Sequence, residues 1–265
     1  MSSLTTLREL NLSFDSISDR GLGSLAPLTA LERLSLAGSL VQGSGFAGLG
    51  GLRSLQDLDL SSSAIDDEAL RHIARLQSLV NLNLSHTDVT DAGLDRLAAL
   101  PNLASLDLRG VDISDAGLEK LARLRSLRSL NLSDGRFTDK GLGSLKALPN
   151  LERLRLARTR TTDGGLAQIA GIKTLRALRL EYTKVTDKGI EAIVALPRLE
   201  ELALDSTDVG DPGAELLAGM PALKLLDLYH TLVSDRGYQR IKASLPHCNI
   251  LWEKDSALPS RRLHL

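Results

Sequence analysis

Residues Leu79 to Leu94 read LVNLNLSHTDVTDAGL, and nearly the same words return along the whole chain. Leu79, Leu82 and Leu84 come back as Leu103, Leu106 and Leu108, a shift of 24 residues. A fixed period of this size marks stacked supersecondary units rather than a closed globular core. The ruler does not slip: the leading leucine of each unit falls at Leu7, Leu31, Leu55, Leu79, Leu103, Leu127, Leu151, Leu175, Leu199 and Leu223.

Each unit carries two apolar series. The L-x-x-L-x-L segment, as in Leu55, Leu58 and Leu60, ends in alternation with period two, which predicts a short strand pointing its leucines inward. Leu94, Leu97 and Leu100 then follow at helical spacing and predict the inner face of a short helix. Between them stands a helix-start signal, Thr90-Asp91 here and Ser114-Asp115, Thr138-Asp139, Thr162-Asp163 and Thr186-Asp187 elsewhere. A hydroxyl at that point caps free backbone N–H groups, and the neighbouring acid complements the positive end of the helix dipole. Gly93, Gly117, Gly141, Gly165, Gly189, Gly213 and Gly237 recur two residues after the acid. Glycine costs helix stability, so its recurrence points to close approach of the neighbouring unit. An apolar plug recurs at Ile17, Val41, Ile65, Val89, Ile113, Phe137, Val185, Val209 and Val233, with Thr161 the polar exception. Neither apolar face of a unit can be buried alone, so the units stack, strands on one wall and helices on the other.

Composition limits the alternatives. The 265 residues would suit one or two globular domains, but the unbroken repeat makes a single elongated domain over residues 1–253, followed by a flexible C-terminal tail at 254–265. The 32 Lys and Arg nearly balance 33 Asp and Glu, so no global field draws the chain to nucleic acid or to a membrane. Cys248 is the only cysteine, which excludes an internal disulfide and favours a reducing compartment. No signal-peptide pattern opens the chain and no apolar run is long enough to span a bilayer, so a soluble, cytoplasmic protein is expected.

The repeated residues resemble leucine-rich repeats of the 24-residue, helix-backed kind, similar to those of bacterial cytoplasmic leucine-rich repeat proteins and of the repeat arrays in F-box proteins. The resemblance implies an α/β fold: a right-handed solenoid, or horseshoe, with a parallel sheet on the concave wall and short helices on the convex wall. About ten repeats would be followed by a terminal half-repeat, in which Ile250 and Trp252 continue the strand ruler and Trp252 lids the last layer. The resemblance also implies a non-catalytic scaffold binding a protein or peptide, with substrate recognition in a ubiquitin-ligase-type complex as a specialised form. One departure stands out. Where many such repeats use Asn to bond the turn backbone, this chain has Thr87, Thr159, Thr183, Thr207 and Thr231, and Val111 and Gly135 cannot make the bond at all. At the other end, the first strand begins so near residue 1 that its leucines and sheet edge need a cover, from a preceding domain or from an association at that edge.

Several motifs invite chemistry. Gly43-Ser44-Gly45-Phe46-Ala47-Gly48 matches G-x-G-x-x-G after a strand and raises a nucleotide-binding enzyme as an alternative. Its glycines nevertheless fall in register with the repeat, which predicts an irregular helix wall instead. His86 and His230 share a slot six units apart, roughly 29 Å at the strand spacing, and cannot share a metal ion. His247 adjoins Cys248 on an extended segment and points the other way. The column of helix-start acids is accounted for by capping, so no metal, cofactor or catalytic residue is expected.

The strand wall remains as the place for recognition. Its middle column runs Asn11, Ser35, Asp59, Asn83, Asp107, Asn131, Arg155, Arg179, Ala203 and Asp227. Arg109, Arg153, Arg158, Arg160 and Arg176 thicken a basic region, while Glu200, Glu201, Asp205 and Asp208 make the ninth unit acidic. Tyr182, Tyr229 and His230 sit near the strand exits, and Tyr and Arg are favoured interface anchors. Arg109, Arg153, Arg155, Arg158, Arg179, Tyr182, Asp205, Tyr229 and His230 are therefore the candidate protein-binding residues, against the plainer reading of solvated charges paired with neighbours. The first half of the wall, rich in Ser and Asn, offers little.

Overall fold

The computed structural model describes residues 4–254. The chain divides into two compact units, Met1–Asn131 and Leu132–Leu265. Apart from Lys254, the expected C-terminal tail lies outside the described residues.

Unit 1 holds six parallel strands, β1 (Glu9–Asn11), β2 (Arg33–Ser35), β3 (Asp57–Asp59), β4 (Asn81–Asn83), β5 (Ser105–Asp107) and β6 (Ser129–Asn131). Each pairs with the next in chain order, and Leu10, Leu34, Leu58, Leu82, Leu106 and Leu130 stand in line across the ladder. The register step is therefore the 24-residue period read from the leucines. Behind the strands lie α1 (Asp19–Leu22), α2 (Asp67–Ile73), α3 (Asp91–Leu94) and α4 (Asp115–Leu121). Where the second coil should have its helix, a 3-10 turn over Ser44–Gly48 appears, as its glycines predict.

Unit 2 repeats the plan with β7 (Arg153–Arg155), β8 (Ala177–Arg179), β9 (Glu201–Ala203), β10 (Leu225–Asp227) and β11 (Asn249–Leu251), again parallel and in chain order. Its helices are α5 (Asp139–Leu142), α6 (Asp163–Ile169), α7 (Asp187–Ile193), α8 (Asp211–Leu217) and α9 (Asp235–Ser244). The last strand is followed by Trp252, which stacks on Tyr238 with ring centroids 4.4 Å apart and donates its indole N–H to the Val233 carbonyl at 3.0 Å. The half-buried Trp252 thus closes on the last helix, as the ruler suggests.

The core is the stack of leucines between the two walls. Leu31, Leu34 and Leu36 of the second coil are 0%, 2% and 0% exposed, whereas their first-coil counterparts Leu7, Leu10 and Leu12 are only half-buried. The buried Thr87, Thr159, Thr183, Thr207 and Thr231 each donate a hydroxyl to the carbonyl three residues back, at 2.6–2.7 Å. At Val111 the turn is closed by the backbone alone, Val111 N–H to Leu108 carbonyl at 3.1 Å, and Gly135 does the same with Leu132 at 3.2 Å. The polar plug Thr161 is satisfied by Thr159, hydroxyl to hydroxyl at 2.8 Å.

The helix-start acid has a second task beyond the dipole. Asp67 accepts the Thr90 N–H at 2.8 Å and the Thr90 hydroxyl at 2.6 Å, so it clasps the cap of the following coil. Asp163 holds Thr186 in the same way, both at 2.8 Å, and Asp211 holds Ser234 at 2.8 and 2.7 Å. Thr90 and Thr186 in turn cap their own helices by accepting from Ala92 and Lys188 N–H groups. This clasp explains the recurrent glycine. A Cβ on Gly189 would lie 2.6 Å from Asp163 Oδ1 and one on Gly165 2.5 Å from Asp139 Oδ1. The carboxylate of the preceding coil occupies the space a side chain would need.

Candidate functional site

The last residue of each strand faces out from the leucine core, and in most coils it has a backbone duty. Asn11, Asp59, Asn83 and Asp107 of unit 1 each accept, through Oδ1, the N–H two residues on, at 2.9–3.0 Å. This side-chain turn satisfies a donor at the strand exit. In unit 2 only Asp227 keeps the arrangement, accepting from Tyr229 N–H at 3.0 Å. Arg155, Arg179 and Ala203 occupy the same slot with no side-chain oxygen to offer. The arginines there do not serve the turn.

The sequence-predicted residues divide between the units. Arg109 belongs to unit 1, where its N–H closes the Asp107 turn. The other eight lie in unit 2. Arg155 and Arg179 are register neighbours on β7 and β8, both exposed, and Arg153 stands beside them across from Ala177. Arg179 reaches Glu181 at 3.2 Å, and Arg176 and Lys224 hold Glu200 at 2.6 and 2.8 Å. Among the described residues Arg153 and Arg155 make no ion pair. The plainer reading of paired surface charges thus fits Arg176 and Arg179, and it does not fit Arg153 and Arg155. One Glu181 oxygen is buried without a hydrogen-bond partner among the described residues.

At the strand exits the structure adds something the residue types do not signal. Arg158, Tyr182 and His230 all have left-handed backbone, φ 56°, 58° and 52°, as do Phe14, Ser62, His86, Asp134 and Ser206 at the same slot in other coils. The slot is fixed by an N–H donated across to the next coil, for example Arg158 to Glu181 carbonyl and Tyr182 to Asp205 carbonyl, each at 2.9 Å. Left-handed backbone throws these side chains along the edge of the wall. Arg158 lies over the Tyr182 ring at 4.1 Å, a cation–π contact, and His230 Nδ1 meets Asp205 Oδ1 at 2.7 Å. Tyr229 is beside His230, with ring centroids 6.1 Å apart, and is 37% exposed. Between these edges a dent of about 130 Å³ opens over Ala203, lined also by Arg179, Glu201 and Asp227.

Electrostatics follow the same geometry. Burial raises the Asp227 carboxyl above its ordinary value, against the Tyr229 N–H and with the Asp205 charge adding to the rise. The Lys224 ammonium bonded to Glu200 holds that carboxyl below its ordinary value, more than offsetting desolvation, with Arg176 helping.

A larger concavity than the dent over Ala203 lies in unit 1, on the half of the wall rich in Ser and Asn. A groove of about 570 Å³ runs across β1 to β5, lined by residues such as Asn11, Asp57, Asp59, Asn83 and Asp107. The glycine-rich segment, by contrast, is filled. Gly43 N–H and Ser44 hydroxyl both donate to the Asp19 carboxylate at 3.0 Å, a Cβ on Gly43 would strike Ala69, and Gly45 packs on the Asp19 carbonyl. Gly43 has φ 109°, which suits glycine alone. These glycines serve the packing of coil on coil, and the Gly43 N–H and the Ser44 hydroxyl are already engaged by Asp19. Among the described residues no three His, Cys, Asp or Glu side chains are grouped to hold a metal ion, and no helix is long and apolar enough to cross a membrane.

Strand-and-helix coils stacked in register, with an open strand wall, define a repeat solenoid of the kind that serves as an interaction scaffold. The leucine-rich repeat region family matches residues 1–249, and the chain belongs to the leucine-rich repeat family. Among solved structures it is similar to an internalin (inlF) of Listeria monocytogenes, with 26% identity, a TM-score of 0.70, and coverage of 94% of this chain and 68% of that one. Internalin C2 (inlC2) of the same organism shares the fold, with 23% identity, a TM-score of 0.51, and coverage of 84% of this chain and 80% of that one. No curated protein matches the sequence.

Proposed function

We propose that this protein is a non-catalytic scaffold that holds a protein or peptide partner on the strand wall of unit 2, through a docking segment bearing carboxylates. The observation that carries the reading is the surrender of the turn bond at Arg155 and Arg179. Arg155, exposed and without an ion pair among the described residues, is poised for something outside the chain, and Arg179 beside it is held by Glu181 at 3.2 Å. Arg153 and Arg155 are without ion pairs among the described residues, and an arginine fork takes a carboxylate with two parallel hydrogen bonds. The Arg158–Tyr182 stack and the Tyr229–His230–Asp205 group supply rigid aromatic surface at the rim, and the dent at Ala203 admits a small side chain.

We further propose a cytoplasmic location, supported by the single cysteine, Cys248, whose thiol is buried and pushed up by desolvation. Affinity capture from a lysate, with captured proteins identified by mass spectrometry, tests the wall. Arg155→Glu/Arg179→Glu should lose at least one partner that the parent retains, at unchanged melting temperature. Identical capture by both would remove these arginines from the interface.

A further inference from the structure

We infer that the groove on the strand wall of unit 1 is a second, separate docking surface, and that it takes an extended peptide segment bearing lysine or arginine side chains. Four carboxylates line it, Glu9, Asp57, Asp59 and Asp107, against one cation, Arg33. Arg33 is already bound to Glu9. No cation comes within ion-pair distance of Asp57, Asp59 or Asp107 among the described residues.

The local partners of these carboxylates are neutral. Asp59 and Asp107 close their turns through Oδ1 just as the uncharged Asn11 and Asn83 do, and at the same distances. An amide would serve the backbone equally well, and the second Asp107 oxygen meets a neutral partner, the Asn131 amide at 2.9 Å, so the charge at these two positions has an outside use. Asp57 bonds the Asn81 amide, which is also neutral. Amides and hydroxyls from Asn11, Ser35, Asn83 and Ser105 stand between the acids and match the alternating donors and acceptors of an extended main chain.

Outside the groove's own lining, apolar side chains stand exposed in the first two coils. Phe14, in the turn that follows β1, is 83% exposed in a left-handed backbone where the next coil uses Gly38, and Leu40 of that next coil is 63% exposed. Bulky side chains also fill this slot at His86, Arg158, Tyr182 and His230, so what sets Phe14 apart is an exposed ring that is wholly apolar. Five strands at the ordinary spacing make the groove roughly 19 Å across, which about six extended residues would span.

This surface stands apart from the reading of unit 2, and one set of peptides separates the two. Fluorescence anisotropy would follow a fluorescein-labelled ten-residue peptide of alternating serine and lysine, and its serine–glutamate counterpart. The lysine peptide should bind the parent, weaken with salt, and bind Asp59→Asn/Asp107→Asn, still folded with a cooperative melt, about fivefold more weakly. It should bind Glu119→Gln/Glu191→Gln, which removes two exposed helix-wall charges, within about twofold of the parent. Adding one leucine to the peptide should tighten binding to the parent and not to Phe14→Ser. Equal weakening in the helix-wall variant would mean diffuse attraction and overturn the inference, as would no weakening in Asp59→Asn/Asp107→Asn. Self-association of the parent that Asp59→Asn/Asp107→Asn abolishes would assign the groove to a second copy of the chain and overturn it too. The glutamate peptide, titrated on Arg155→Glu/Arg179→Glu, reports on unit 2 alone.

Discussion

In unit 1 the outward slot at the end of the strand is held at four coils by residues that fasten the next turn, Asn11, Asp59, Asn83 and Asp107, whereas in unit 2 it holds Arg155, Arg179 and Ala203 before the habit returns at Asp227. The coils around these slots are the same. Both units keep the leucine ruler, the threonine hydroxyl on the strand carbonyl, and the aspartate that clasps the following cap. A repeat protein can therefore vary its face without disturbing its frame, because frame and face are written at different positions of one period. The same slot gives a wide acidic groove in one unit and an arginine pair beside a small dent in the other.

The largest stability effect should come from the frame, and it should be alike in the two units. Asp67→Ala in unit 1 and Asp163→Ala in unit 2 each leave an N–H and a hydroxyl of the next cap without their acceptor. Each should destabilise by about 1–2 kcal/mol in urea unfolding. A loss in one unit with none in the other would break the claim that the clasp is common property.

The face should respond in opposite directions. Arg155→Asn and Arg179→Asn restore an acceptor for the turn and should each stabilise by about 0.5–1 kcal/mol, while weakening capture of the unit 2 partner. Asn83→Arg discards the bond that Asn83 Oδ1 makes to Ser85 N–H and should cost about as much. If Arg155→Asn were both no more stable and still competent in capture, the contrast between the units would be one of composition only.

Much of this frame can be read from the period alone. Leu82 and Leu106 are inward and paired because alternation and spacing leave no other place for them, and the glycine at Gly189 announces a close neighbour before the neighbour is known. What hides is whatever depends on two coils at once. That Asp163 grips Thr186, and that this grip is the reason for Gly189, follows from how far one coil sits from the next, which no single period states. Arg158, Tyr182 and His230 carry no mark of left-handed backbone in their residue types, so their alignment along one edge is invisible until the turn is built. The unit 1 groove is hard to read from the sequence for a different reason. Its column has no large anchoring side chain to mark it, and its shape comes from small Ser and Asn residues that leave room between Asp57, Asp59 and Asp107.

The smallest test concerns Asp227, the one residue of the unit 2 column that behaves like unit 1. Its Oδ1 accepts the Tyr229 N–H, as Asn83 does for Ser85, but burial raises its carboxyl above the ordinary value. A carboxyl that titrates higher in the folded chain than in the unfolded one is ionised against the preference of the fold at neutral pH. The fold then recovers stability as pH falls through the raised value. Asp227→Asn keeps the turn bond and removes the charge, so it should raise the melting temperature at pH 7 by a small amount, under about 2 °C. The advantage should shrink as pH falls into the carboxylate range, where the parent binds its proton. A variant less stable than the parent at pH 7 would show that the Arg179 and His230 charges beside Asp227 outweigh its burial, and that the acid belongs to the binding face rather than to the turn.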